Sequence, residues 1–303
     1  SMTTYSYRIK DATSRKHLIK MAHAIHLVWN FCQEVCLLAW RREKKFLSAY
    51  DLHKLIGGTA KDLRLNTDTM QQVCTEYVTR RRQHKKLRLR WRSRKRSLGW
   101  IPFKARYAHV DGDTVTYCGL RIRFWLSRPI EGTIKTGSFT QDARGRWYVH
   151  FQCEVPDVYG PAGPCEVGID LGLTDQIACT HLREPLSRAN MTRQYAEPLA
   201  KAQRARKSKR VKALHAKITN VRKDWTHKAT TAIASVARLI SVGNVSSPKL
   251  ARTSFAKSTY DAAWGITRAC LRYKANRLGV PYVEVSEYRS SCTCADCDAL
   301  TGP

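Results

Sequence analysis

The segment GIDLG, residues 168–172, places one carboxylate, Asp170, after two apolar residues in alternation, Val167 and Ile169. Alternation of this kind predicts a strand, and an aspartate at the end of a central strand is well placed to hold a metal ion. In two-metal phosphodiester cleavage, carboxylates hold two cations about 3.5–4 Å apart around the scissile phosphate. Such a centre needs at least three carboxylates from separate elements. Asp170 is therefore a first candidate, and a turn aspartate before a glycine is the alternative interpretation.

A second group with chemical potential is the cysteine cluster SCTCADC near the end of the sequence. Cys294 and Cys297 form a CxxC pair, which supplies half of a zinc site, but zinc normally takes four ligands. Cys292 could be a third ligand, and Asp298 is too close in sequence to count as a substitute. The site is therefore incomplete, and a redox pair is the other interpretation of the CxxC.

The eight remaining cysteines lie singly in apolar patterns, where a free cysteine packs as a small hydrophobic residue. No secretion signal is visible at the start of the sequence, so a reducing cytosol is the expected compartment.

The charge of the chain indicates its partner. The sequence has 54 Lys and Arg against 24 Asp and Glu, a formal net charge of +30. Nucleic acid is the expected partner for such an excess. A membrane partner is not expected, because no apolar run approaches the roughly 20 residues needed to span a bilayer.

Two stretches concentrate this charge. Residues 80–96 hold eleven Lys or Arg and no acid, and residues 201–228 hold eleven against one Asp. A solvated helix face is the alternative for the first stretch, although such density repels itself without a polyanion. Leu87, Leu89 and Trp91 interleave it with apolar surface, and Arg can stack on bases. The predicted nucleic-acid-binding residues are Arg80, Arg81, Arg82, Lys85, Lys86, Arg88, Arg90, Arg92, Arg94, Lys95, Arg96, Arg204, Arg206, Lys207, Lys209 and Arg210.

The elements that position these residues fall into two halves. In the first half, residues 4–10 predict a strand and residues 19–40 a helix, with Ile25, Val28, Cys32, Val35 and Leu38 on one face. A second helix begins near residue 66, with Asp68 and Gln71 as a capping pair. Residues 98–155 switch to strand alternation, with a hairpin turn at DARGR. The pattern predicts an antiparallel β-barrel or sandwich, with a helical segment inserted after its first strand.

The second half follows a Pro- and Gly-rich linker at residues 155–164. Its pattern is a strand through Asp170, a hairpin, a helical stretch at 196–240, a strand at LISVGNV, a helix at 258–278 ended by Gly279, and a last strand at VPYVEVSEY. This order predicts an α/β domain. Gly243 lies inside one of these strands, where a glycine costs entropy and packs against nothing.

The order of several segments resembles the TnpB family of transposon-encoded, RNA-guided DNA endonucleases, which are related to type V CRISPR effectors. GIDLG followed by a hairpin resembles the first motif of a RuvC-type, RNase H-like nuclease. AKAQRARKSKRVKALHAKI, VGNVSS, KSTYDAAWG, LRYKA and YRSSCTCADC follow in the family's order, and SLGWIPFK and KTGSFTQDARGRWYV precede them. The resemblance covers nearly the whole chain.

The resemblance implies a multidomain fold, α+β followed by α/β. A wedge β-barrel (1–12 and 98–160) would be split by a helical recognition domain (13–97). A RuvC-like domain of RNase H fold (165–291) and a partial zinc ribbon (292–303) would follow.

The resemblance also assigns the candidate catalytic residues. Asp170 matches the first RuvC aspartate, and Gly243 falls where the second motif has its glutamate. Some members carry a glutamate on the following strand instead. Its counterpart here is Glu287, with Glu284 as the runner-up, and an ordinary strand-end residue is the alternative for Glu287. Alternation puts Val283, Val285 and Glu287 on one face and Glu284 on the other. The third motif, an aspartate after the zinc module, is absent from the sequence.

These departures leave two functions of the same family open. The chain would bind a guide RNA from a transposon end and double-stranded target DNA. It would then act by occupying DNA, as a repressor does, with an incomplete nuclease centre. Alternatively it would cleave DNA with Mg²⁺ at Asp170 and Glu287, with the missing aspartate supplied by a longer native chain. A plain nucleic-acid-binding protein without a guide is the hypothesis from another class. The expected location is the prokaryotic cytoplasm, on the nucleoid.

Overall fold

The computed structural model describes residues 1–157, 163–171, 176–180, 186–187, 192–244 and 254–286. The chain divides into two compact units. The first unit spans Met2–Val155, and the second spans Pro156–Pro303 together with Ser1.

The first unit combines two antiparallel sheets with four helices. Its sheets have the strand orders β1-β7-β6-β2 and β3-β4-β5. The elements are β1 (Met2–Arg8), α1 (Ala12–Glu43), α2 (Ala49–Leu55), α3 (Ala60–Leu63), α4 (Thr67–Gln83), β2 (Trp100–Lys104), β3 (Ala108–Asp111), β4 (Thr114–Tyr117), β5 (Leu120–Arg123), β6 (Thr133–Gln141) and β7 (Trp147–Glu154).

Aromatic side chains join the two sheets of this unit. Phe103 on β2 lies with its ring centroid 5.5 Å from Tyr117 on β4 and 5.1 Å from Phe139 on β6. Phe124, just after β5, contacts Phe151 on β7 at 5.7 Å. All of these rings are buried. Tilted pairs of this kind contribute about 0.5–1.5 kcal/mol each beyond the area they bury. The two sheets therefore share one core.

Helix α1 confirms the predicted helix and corrects its buried face. Asp11 caps its first turn by accepting from the Ser14 amide at 2.6 Å. Ile25, Val28 and Cys32 are buried as predicted, but Leu38 is 37% exposed. The last turns bury Cys36 instead, and Leu38 lies about 200° further round the helix, on the exposed side.

Helix α4 has the predicted apolar face, since Met70, Val73, Cys74 and Tyr77 are buried. The predicted Asp68–Gln71 cap is wrong. Asn66 caps the helix instead, with its side chain accepting from the Asp68 amide at 2.8 Å.

Asp68 has a different role. It is buried, and its carboxylate lies 2.8 Å from Lys104 Nζ. A buried carboxylate needs such a partner, and this pair joins α4 to the end of β2.

The second unit is an α/β fold around a five-stranded sheet. The strand order is β10-β9-β8-β11-β12, so β8 is central. Strands β8, β11 and β12 run parallel, and β9 returns antiparallel to β8. The elements are β8 (Cys165–Leu171), β9 (Gln176–Cys179), β10 (Leu186–Ser187), α5 (Ala196–Arg204), α6 (Ser208–Val236), β11 (Ala237–Asn244), α7 (Ser254–Leu278) and β12 (Tyr282–Ser286).

The predicted helix over residues 196–240 is wrong in two places. It breaks after Arg204, and Ala237 already belongs to β11. Ile240 pairs with Val167 of β8, and sheet pairing on both sides of β11 outweighs the local tendency to continue the helix. Gly279 ends α7 as predicted, with φ +66°, which a residue with a Cβ rarely adopts.

No helix in the described ranges is long and apolar enough to cross a membrane.

Candidate functional site

Asp170 lies near the carboxyl end of the central strand β8. The neighbouring side chains Ile169 and Leu171 are buried on one face of the sheet, where Trp264 and Leu271 of α7 belong to the same core. Because side chains alternate along a strand, Gly168 and Asp170 occupy the opposite face. Asp170 is exposed there. The strand thus presents one carboxylate on an accessible face, as the sequence predicts.

The register across the sheet identifies the neighbours of Asp170. Gly168 pairs with Ser241 of β11, and Gly243 pairs with Val285 of β12. A pocket of about 420 Å³ opens over this face. Its lining residues are Gly168, Ile169, Asp170, Cys179, Thr180, Ser241, Gly243 and Val285.

Asp170 is the one acidic residue among those lining this pocket in the described part of the chain. The position level with Gly243 on β12 is the apolar Val285. No group of three or more His, Cys, Asp or Glu that could hold a metal occurs among the described residues. The described carboxylates therefore do not by themselves fit a two-metal centre.

Glu284, the runner-up for the relocated glutamate, faces away from the pocket. Its carboxylate accepts hydrogen bonds from Arg272 on α7 and from the Tyr282 hydroxyl, the latter at 3.0 Å. Partial burial opposes ionisation, but these two donors hold the pKa of Glu284 below its usual range. Glu284 is therefore a partner of Arg272, and its candidacy as a ligand is wrong.

Three candidate residues, Glu287, Cys294 and Cys297, lie outside the described residues. Their assignment to the magnesium and zinc sites stays a prediction.

The first basic stretch is mostly not helical. Helix α4 ends at Gln83, and residues 84–98, here called the basic strap, have no regular helix or strand structure. Interpretation of the whole stretch as a solvated helix face is therefore wrong. The exposed cations of the strap are Lys85, Lys86, Arg88, Arg90, Arg94, Lys95 and Arg96.

Two polar residues of α1 hold the basic strap in place. Asn30 makes two bonds with the backbone of Arg92, donating to its carbonyl at 2.8 Å and accepting from its amide at 2.9 Å. Gln33 Oε1 accepts from the Leu89 amide at 2.8 Å. Sequence reasoning missed both residues. Their signal was two amide side chains three residues apart, on a side of α1 that also carries the buried His26.

Two of the predicted cations are packed rather than exposed. Arg81 is only 4% exposed and donates from Nη2 to the Leu47 carbonyl at 3.0 Å, with Phe46 over its guanidinium. Its prediction as a surface nucleic-acid ligand is wrong, because the turn of α4 that carries it faces the core. Arg92 lies 4.2 Å from the Trp29 ring centroid, and burial lowers its pKa.

The second basic stretch forms the turn between α5 and α6. Arg204 ends α5, Lys209 and Arg210 begin α6, and all the predicted cations here are exposed. Ala202 is buried beneath them, so the turn is anchored while its charges face solvent. Both stretches thus present dense positive charge on ordered backbone.

The fold of the chain matches a solved structure. A chain of the cryo-EM structure of the Cas12f1–sgRNA–target DNA complex superposes with a TM-score of 0.60 at 12% sequence identity. The match covers 96% of this chain and 77% of that chain. The chain therefore has the mixed, multidomain α/β fold of that Cas12f1 chain.

Two curated proteins are similar in sequence to part of the chain. A protein of Streptomyces pristinaespiralis, named as an RNA-guided DNA endonuclease, is 31% identical over 192 residues, which are 58% of this chain and 48% of the relative. The RNA-guided DNA endonuclease InsQ of Escherichia coli K12, named in the same way, is 27% identical over 205 residues, 58% of this chain and 50% of that protein. No protein-family model matches the chain.

The names of these relatives and the Cas12f1 fold match support the resemblance to the TnpB family that the motifs predict. The chain spans about half the length of the curated relatives it matches.

Proposed function

We propose that the chain is an RNA-guided DNA-binding protein that acts by occupying its target. A guide RNA and double-stranded target DNA would be its partners. The observation that carries the proposal is a contrast between the two kinds of site. The basic strap and the α5–α6 turn keep dense exposed charge, whereas the pocket at Asp170 has Gly243 and Val285 beside it.

Nucleic-acid binding and DNA cleavage depend on different groups. Binding of the guide and of DNA depends on cations that neutralise phosphates and on base pairing by the RNA. Cleavage depends on carboxylates that hold divalent metal on both sides of a phosphate. Loss of the carboxylates leaves the cations and the base pairing intact. Occupancy of DNA, as in transcriptional repression, is the output that remains.

The domain assignment belongs to this proposal. Strand β1 with residues 98–160 would be the wedge domain, the helices within residues 13–97 the recognition domain, and residues 165–291 the RuvC-like domain. The parallel β8–β11–β12 arrangement with a returning β9 supports the last assignment. The segment 292–303 would be a partial zinc ribbon.

A second candidate, an active endonuclease, is supported by the retained and exposed Asp170. Magnesium would then be held by Asp170 and Glu287, and a third carboxylate would come from residues beyond 303. A bound divalent cation would supply the activation of water and the stabilisation of charge at phosphorus. Among the described residues only Asp170 could take part.

The test uses the protein purified with its RNA. We expect one discrete RNA species to copurify, and a guide-matched DNA duplex to be retained in a gel shift while a mismatched duplex is not. With Mg²⁺ present, the matched plasmid should stay supercoiled. Nicking or linearisation that disappears in Asp170→Ala would establish the endonuclease instead. Copurification of mixed RNA without guide-dependent retention would contradict both candidates.

A further inference from the structure

The first unit contains a cleft of about 810 Å³ beside the basic strap. The strap forms one side of the cleft, and residues of α1, α4, β2 and β6 form the rest. The residues that line this cleft do not form a metal site, because the one carboxylate among them, Glu76, already pairs with Arg80 at 2.6 Å. It is large enough to hold a nucleotide, since ligand pockets in proteins are typically about 300–1,000 Å³.

Three tryptophans line the cleft: Trp29, Trp91 and Trp100. Trp91 is 39% exposed, Trp100 is half-buried, and Trp29 is 5% exposed beneath the guanidinium of Arg92. Trp91 is therefore partly packed against its own chain and partly open to solvent. It offers an aromatic face to a ligand that has one of its own.

The cleft is also strongly positive. The cations that line it are Arg80, Lys86, Arg88, Arg90 and Arg92, against the single Glu76. A neutral aromatic ligand would not need this charge. A ligand with both an aromatic ring and phosphate groups uses the tryptophans and the cations together.

The backbone of the cleft is already fixed before any ligand arrives. Asn30 holds Arg92 by two hydrogen bonds, and Gln33 holds the Leu89 amide. Trp91 lies between these two anchored residues. Binding therefore does not have to order a loose segment, a step that usually subtracts from affinity.

A buried donor in the cleft wall has no acceptor. The Nε1 of Trp29 has no hydrogen-bond partner among the described residues. A buried donor left unpaired costs about 1–3 kcal/mol. The donor is itself covered, so it is a feature of the wall beneath the Arg92 guanidinium and not a contact that the open cleft offers.

We propose that this cleft binds an unpaired nucleotide, with its base stacked on Trp91 and its phosphates held by the arginines of the basic strap. The proposal rests on the proposed function and names the form of nucleic acid that the cleft takes. A base inside a duplex is stacked on both faces and offers no surface to Trp91. An unpaired nucleotide of the guide RNA, or of a displaced DNA strand, offers both ring and phosphate.

The test compares Trp91→Ala with Trp125→Ala in the full chain freed of its copurified RNA. Trp125 is a matched control because it is 59% exposed in the same unit and lies under a cation, Lys10, but outside the cleft. The probes are a 12-nucleotide single-stranded RNA, the DNA of the same sequence, and the 12-base-pair RNA duplex. Binding is measured by fluorescence anisotropy.

We expect Trp91→Ala to weaken single-strand binding by about 5- to 150-fold, the range for the loss of one base–aromatic stack. Duplex binding should change by less than about twofold, and Trp91→Tyr should retain the single-strand affinity. Photocrosslinking of Trp91 to thiouridine in the RNA or to iodouridine in the DNA identifies which strand the cleft takes in the guide-bound complex.

Equal losses for duplex and single strand, or the same loss in Trp125→Ala, would overturn the proposal. Failure of Trp91→Tyr to retain affinity would also overturn it. These results are independent of the guide-dependent retention of matched DNA, so the proposed function can stand if the cleft does not bind a base.

Discussion

Arg81 and Arg82 are adjacent in sequence and have opposite surroundings. Arg81 is buried and bonded to the Leu47 carbonyl, while Arg82 faces solvent on the next position of α4. At the scale of single residues, the fold therefore divides a uniform run of arginines into one structural residue and several surface charges.

The two arginines are expected to respond differently to truncation. Arg81→Ala should lower the free energy of unfolding by about 1–3 kcal/mol, because it leaves a buried carbonyl without its donor. Its effect on nucleic-acid affinity should be small once the protein is folded. Arg82→Ala should do the reverse, leaving stability within about 0.5 kcal/mol and reducing the salt dependence of binding. Denaturant unfolding and salt titrations measure both, and equal behaviour of the two variants would contradict the assignment.

Glu284 gives a prediction for pH. Its pKa in the folded protein is lower than the 4.5 of the unfolded chain. The stabilisation is therefore present above pH 4.5 and is lost as the pH falls through the folded value. Because the carboxylate is partly exposed, its contribution should stay below about 1 kcal/mol.

Removal of the charge tests this. Glu284→Gln should reduce stability at pH 7 and flatten its decline between about pH 5 and 3. Arg272→Met, which removes the partner, should flatten the same part of the curve. Stability is measured by urea unfolding at each pH. If its decline between about pH 5 and 3 were the same in both variants as in the parent protein, the Arg272–Glu284 pair would be ruled out as a source of stability.

At the scale of elements, hydrophobic periodicity predicts existence and type better than ends. The faces of α1 and α4 follow from spacing because each is a local pattern. The break after Arg204 and the start of β11 at Ala237 depend on pairing with β8 and β12, which are distant in sequence.

The candidate site shows the same division. Asp170 and its face follow from alternation along one strand. That Val285 pairs with Gly243 depends on the register between β11 and β12, which alternation within one strand does not predict. The cleft at Trp91 depends on Asn30 and Gln33 of α1, which bind the basic strap from a distant part of the sequence.

The attachment of the basic strap is testable as an element. Asn30→Ala removes two hydrogen bonds to Arg92, so the strap should open more often without global unfolding. Trypsin should cleave within residues 84–98 several times faster in this variant, under conditions in which the protein as a whole stays folded. Gln83→Ala, at the exposed end of α4, is the control and should leave the cleavage rate as it is. Equal rates in all three proteins would show that Asn30 does not hold the strap.

Two glycines of the α7 region should respond to alanine with opposite signs. Gly279 has φ +66°, so Gly279→Ala should cost about 1 kcal/mol of stability. Gly265 lies inside α7, and an added Cβ there would meet nothing within 4 Å. Gly265→Ala should therefore stabilise by about 0.5–1 kcal/mol through helix propensity. The same sign for both, by thermal unfolding, would contradict the assigned boundary of α7.

At the scale of the whole molecule, the net charge of +30 sets how binding depends on salt. If the two basic regions together neutralise about 6–10 phosphates, affinity should fall roughly 10³- to 10⁵-fold between 50 and 200 mM salt. The slope of log affinity against log salt measures the number of phosphates neutralised. A slope near zero would mean that the exposed cations of the strap and of the α5–α6 turn do not contact nucleic acid.

The placement of β1 has a consequence for synthesis. Its hydrogen-bonded neighbour in the first sheet is β7, with Tyr5 opposite Phe151. During synthesis, β1 must therefore wait, unpaired, until the roughly 150 residues that lead to and include β7 have been made. At roughly 5–20 residues per second this takes on the order of 7–30 s. Helices α1 and α4 can form earlier, from local contacts, so β1 is a strand with an open edge in the nascent chain, accessible to chaperones and to misassembly.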